Sequence, residues 1–173
     1  RWRLPPGEFD NRQVTVRRLL SHTAGLTDGL GYGGFGPGQT VQRLEDSLTH
    51  ASDASPGKDG RVRVGTKPGE RFAYSGGGYA LLQLVIEEVS GEPFNDYMRR
   101  EVLVPLGMTR STFVLPPDET NFAQSFDQDG REAILYIFSA PSAASLYTSA
   151  ADLTRFLQAN VAGTDGASPG RSV

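Results

Sequence analysis

Cysteine is absent from the 173 residues. Its absence excludes disulfides, thiolate metal sites and a cysteine nucleophile, but it does not fix the compartment. Histidine is scarce: His22 and His50 are the two in the chain. No His pair or His-x-x-x-Asp grouping shares a helix face, so a metal site is not expected. Runs of Lys and Arg are missing as well. With a formal net charge of −3, the chain lacks the basic footprint of a nucleic-acid binder. No apolar stretch is long enough to span a bilayer as a helix. The opening Arg1-Trp2-Arg3-Leu4-Pro5-Pro6 has neither an initiator Met nor a signal-peptide pattern. Together with the loop-like Ser168-Pro169-Gly170 near the other end, it is the pattern expected of a longer protein cut at both ends.

What is present describes one globular unit. The apolar fraction of 38% and charged fraction of 21% are ordinary for such a domain, and the length suffices to bury most of the unfolded surface. Twenty-one Gly and 11 Pro call for many loops but fall short of a low-complexity chain. No internal repeat or domain boundary stands out.

Thr15 is placed to N-cap a short helix running through His22, with Val16, Leu19 and Leu20 as its apolar face. Thr40 is placed to cap a second, carrying Val41, Leu44 and Leu48. Short strands are expected over residues 61–64, 111–115 and 133–138. The strongest pattern is a helix over 77–90, with Leu81, Leu82, Val85, Ile86 and Val89 as its buried stripe and Gln83 and Glu87 opposite. Ser75 is its N-cap, and Gly91 stands where a left-handed C′ residue is wanted. Pro93 starts a further helix that turns Phe94, Tyr97, Met98 and Val102 inward. Ser149 and Asp152 form a capping-box pattern for a last helix with Leu153, Phe156 and Leu157 as its face.

Several motifs match by letter and fail by context. Gly29-x-Gly31-x-x-Gly34 fits the dinucleotide fingerprint, but a helix precedes it where a strand is needed, and Pro37 and more glycines follow. Ser55-Pro56-Gly57-Lys58 fits Ser-x-x-Lys, yet Pro-Gly favours a turn over the helical turn that would bring the amine to the hydroxyl. Neighbouring Ser21 and His22 do not face one another by sequence, and no Gly-x-Ser-x-Gly elbow occurs. His22 therefore reads as a structural histidine and His50 as exposed near a helix end.

The junction that carries chemistry is Tyr74-Ser75-Gly76-Gly77-Gly78, a phenol at a helix start beside backbone that lacks side chains. From spacing alone, an aromatic packed beside a capped helix is the simpler account. Three segments taken together point further. They are residues 14–26 (VTVRRLLSHTAGL), residues 68–108 from Pro68-Gly69-Glu70 through Tyr74-Ser75-Gly76 to Pro105-Leu106-Gly107-Met108, and residues 145–153 (SLYTSAADL). In this order they resemble the serine beta-lactamase-related hydrolases, which include class C beta-lactamases, D-alanyl carboxypeptidases, D-aminopeptidases and esterases.

The resemblance implies an α+β fold, a mixed sheet with helices, of which this chain holds mainly the helical region. Parts of the flanking sheet would be missing, leaving apolar surface exposed. It implies that Tyr74, at the tyrosine of the family's Tyr-x-Asn element, moves a proton during acyl transfer. Ser75 is the middle residue of that element, and Gly76 stands where the family most often has Asn. The Ser-x-x-Lys nucleophile and the Lys-Thr-Gly or His-x-Gly strand would lie outside this chain. A free phenol ionises near pH 10, so such a base needs nearby cations.

The expected function is cleavage of a small-molecule amide or ester through an acyl-serine intermediate, with no cofactor and with this chain alone inactive. Ser75, Gly76 and Tyr32 are the candidate substrate contacts, Tyr32 and Phe35 being the aromatic residues of the glycine-rich loop. A noncatalytic binding or scaffold relative is the alternative, with Gly76 as the feature in its favour. Oligomeric state, compartment and the choice among beta-lactam, D-amino peptide and ester stay open.

Overall fold

The computed structural model describes residues 1–28, 32–58, 60–115 and 121–161. Six α-helices occur among them: α1 (Val16–Leu20), α2 (Leu44–Thr49), α3 (Gly76–Ser90), α4 (Phe94–Met98), α5 (Pro141–Ala144) and α6 (Ala150–Asn160). A 3-10 turn, Asn11–Gln13, precedes α1, and a π-helical turn, Arg99–Leu103, continues α4. Helix α3 is the hub, since α1, α2, α4 and α5 all pack against it.

The caps of α3 follow from local sequence. Ser75 Oγ accepts from the Gly78 amide at 2.9 Å. Gly91 adopts φ 75° and donates its N–H to the Glu87 carbonyl, closing the helix as a left-handed C-terminal residue does. The stripe is rotated from the expected one. Ala80, Leu81 and Leu84 enter the core with Leu19, Leu26, Leu44, Leu48, Val62 and Val64. Val85 is exposed, and Val89 is 84% exposed.

Gln83, expected on the solvent side, is 4% exposed. Its Oε1 accepts from the Ser142 amide at 3.1 Å, and its Nε2 donates to Glu87 Oε1 at 3.0 Å. Ser142 Oγ also donates to the Tyr79 carbonyl. These bonds seat α5 on α3. A buried amide with its oxygen and its nitrogen both engaged carries a reduced desolvation penalty, which is why a polar residue occupies this inner position.

Other expectations need correction. Thr15 Oγ1 does cap α1, accepting from the Arg18 amide at 3.3 Å, but the helix ends at Leu20 and His22 lies beyond it. Helix α2 starts at Leu44, with Arg43 as a cap that makes no side-chain bond; Thr40 and Val41 precede it. His50 is its exposed C-cap residue.

The three expected strands are not formed as strands among the described residues. Val64 pairs singly with Leu26, Thr112 with Tyr147 and Ile137 with Phe35. Single bridges bind loops together where an alternating pattern alone suggests a ladder. In α6, Leu153, Phe156 and Leu157 are exposed, whereas Asp152 is 2% exposed. Phe72, Val104 and Phe126 add further exposed apolar surface.

Candidate active site

Tyr74 stands one residue before the cap of α3 and is 53% exposed. It lines a cavity of about 180 Å³ with Tyr32, Asp53, Gly76, Phe138 and Ala140. Of the sequence-derived candidates, Tyr74, Gly76 and Tyr32 thus share one hollow. Ser75 lies outside it: the residue is 3% exposed, and its hydroxyl is engaged with Gly78 in the helix cap. Phe35 is buried away from the cavity and exchanges backbone bonds of 2.8 and 2.9 Å with Ile137.

The start of α3 is held from three directions. Asp28, buried, accepts from the Gly77 amide at 2.5 Å. A carboxylate here answers both the free N–H and the positive end of the helix dipole. His22 Nδ1 accepts from the Ser75 amide at 3.2 Å. The Ser75 hydroxyl supplies the third bond. Gly77 has no room for a side chain: a Cβ there would press into Val62, Asp28 and the Tyr32 hydroxyl.

Tyr32 differs from Tyr74 in its surroundings. Burial above all, then the charges of Asp28 and Asp53 and a hydrogen bond to Asp28, push its phenol well above the usual tyrosine range. Desolvation and like charge both oppose the phenolate, so Tyr32 keeps its proton and acts as a neutral wall. Asp53 fastens the glycine-rich loop: its Oδ2 accepts from the Gly34 amide at 2.9 Å and its carbonyl from the Gly33 amide at 2.7 Å. Gly34, at φ 77°, leaves room for Tyr136 and Phe138, and Phe138 lines the same cavity.

Gly29 and Gly31 of the fingerprint lie outside the described residues, and Gly34 serves this loop contact. Ser55 and Lys58 sit in a turn: the Lys58 amide donates to the Ser55 carbonyl at 3.0 Å, with Gly57 at φ 79°. Among the described residues, no three of His, Asp and Glu gather as a metal-binding group.

The sequence matches the beta-lactamase family over residues 2–172. The chain belongs to that family. PbpX of Bacillus subtilis, named as a penicillin-binding protein, is 27% identical over 162 residues, covering 90% of this chain and 37% of PbpX. An octameric penicillin-binding protein homologue from Pyrococcus abyssi superposes with a TM-score of 0.62 at 31% identity, over 83% of this chain and 34% of that one. A beta-lactamase/D-alanine carboxypeptidase from Pseudomonas syringae superposes with a TM-score of 0.64 at 22% identity, over 90% of this chain and 40% of that one. At that identity it speaks for the fold alone.

The chain spans well under half the length of these relatives. Its fold class is the α+β class of beta-lactamases and transpeptidases, here represented mainly by helices.

Proposed function

We propose that these residues are part of a serine hydrolase that cleaves a small-molecule amide or ester through an acyl-serine intermediate, with Tyr74 as general base. The observation that carries this reading is the placement of Tyr74. It is a half-exposed phenol facing a hollow at the mouth of a helix whose start is fixed by Asp28, His22 and Ser75. Membership of the beta-lactamase family supports the reaction class. The nucleophile would come from a Ser-x-x-Lys element outside these residues, since Ser55 and Lys58 flank a turn. Without it no acyl-enzyme forms, so this chain alone is inactive.

In this reading Gly76 opens the helix mouth where an Asn side chain would otherwise stand, and Tyr32 bounds the pocket beside it. The test is steady-state hydrolysis of an activated ester by the full-length protein and its Tyr74→Phe variant. Losing a general base lowers kcat by about 10²–10⁴-fold; unchanged turnover would remove Tyr74 from the mechanism. Gly76 also motivates the second reading, a noncatalytic binding relative. Full-length protein that resists labelling by a fluorophosphonate at every concentration tried would favour that reading.

A further inference from the structure

His22 grips the chain on both sides of Tyr74. Its carbonyl accepts from the Ala73 amide at 2.8 Å, and its Nδ1 accepts from the Ser75 amide at 3.2 Å. Its ring lies against the Tyr74 ring, with centroids 4.6 Å apart and planes tilted by 34°. Tyr79 approaches the imidazole at 5.3 Å, and Phe72 meets it edge-on at 5.6 Å. Tyr79 is tethered in turn through its hydroxyl to the Leu20 carbonyl at 3.3 Å.

His22 makes its backbone and side-chain bonds to this segment from an uncommon backbone geometry. His22 has φ 52°, the one positive φ at a non-glycine among the described residues. That conformation is disfavoured for most side chains, though His and Asn tolerate it better than others. Nδ1 must be unprotonated to accept from an amide, so the ring proton sits on Nε2.

We infer that His22 is a positioning residue for Tyr74: it fixes the backbone on either side of the phenol and covers one face of its ring, so that the hydroxyl is presented to the cavity in one direction. The inference rests on the reading of Tyr74 as the base. An imidazole that merely filled space would need neither the Nδ1 bond nor the left-handed backbone. The contact also gives residues 14–26 a role at the site: α1 ends just before His22 and delivers it to the start of α3.

The experiment compares His22→Asn, His22→Phe and Tyr74→Phe in the full-length protein, with p-nitrophenyl acetate as substrate. Asn offers an oxygen near the position of Nδ1 and tolerates the positive φ. Phe keeps a ring and loses the acceptor. Misdirecting a reacting group costs up to about 10²-fold, so H22F should lower kcat roughly 10- to 100-fold with little change in KM. H22N should recover most of that loss. Nitrogen-15 NMR of the wild-type imidazole should show the proton on Nε2, and the Ser75 amide should exchange faster in H22F than in H22N.

Wild-type kcat in H22F, an H22N variant as slow as H22F, or a proton on Nδ1 would each overturn the inference. If H22F fails to fold, the H22N turnover and the NMR tautomer decide. If Y74F retains full turnover, the base assignment falls. The tautomer and exchange data then still decide whether His22 holds this segment.

Discussion

Helices α3 and α6 begin alike and end up in opposite situations. Each starts at a Ser whose hydroxyl accepts from the backbone amide three residues on, Gly78 in one case and Asp152 in the other. Each carries a recurring apolar pattern. Yet α3 buries Ala80, Leu81 and Leu84 among four neighbouring helices, while α6 leaves Leu153, Phe156 and Leu157 in solvent and buries a carboxylate. The side chain of Asp152 does not reach back to its own cap. It accepts from the Arg110 amide at 2.8 Å, Ser111 Oγ at 2.8 Å and an Arg155 guanidinium nitrogen at 2.7 Å. A start signal therefore says that a helix forms; which side turns inward is decided by what stands next to it.

The contrast can be pressed at both helices. Leu84→Ala deletes core volume under α3 and should cost about 2–5 kcal/mol in urea unfolding; a cost near zero would show that α3 is not the hub. Gly77→Ala should cost about 1–3 kcal/mol through overpacking against Val62, Asp28 and Tyr32. The Asp152 carboxyl is raised by burial, but the bonds from Ser111, Arg110 and Arg155 outweigh this and hold it below the usual Asp range. A depressed carboxylate adds stability above its unfolded pKa and loses it as pH falls through the folded value.

The wild-type Tm should therefore drop as pH is lowered from about 5 through 4 and below. Asp152→Asn should melt lower at neutral pH and show a flatter acid slope; parallel Tm curves for the two proteins would remove this role. Leu157→Ser, on the exposed face of α6, should stay within about 0.5 kcal/mol. A larger loss in the full-length protein than in this chain would identify a cover over that face.

What the sequence could disclose was set by range. Ser75, Gly91, Thr15 and the turn at Ser55–Lys58 were legible because each signal and its partner lie within a few residues. The cavity assignment of Tyr32 was legible only as an aromatic in a glycine-rich loop. Asp28 was missed, and His22 was read as structural without its position against Tyr74. Their partners at α3 are 49 and 53 residues away, and nothing beside Thr27-Asp28 or Ser21-His22 announces them. Gln83 misled because polarity points outward until Ser142 arrives to satisfy it. Val85 and Val89 misled in the other direction, since apolar residues on a surface are common. The strands at 61–64, 111–115 and 133–138 shrank to bridges, because alternation does not supply the partner strand a ladder needs.

The anchoring of α3 from so far upstream has a kinetic side. Its C-terminal cap closes within four residues, but bonds from Asp28 and His22 require about fifty residues of chain to close on themselves first. Loop closure of that length costs entropy that grows with the logarithm of the span, and nonlocal contacts slow folding. Both caps of α3, at Ser75 and at Gly91, close locally, so the contacts to Asp28 and His22 that seat the segment bearing Tyr74 should be among the last to lock.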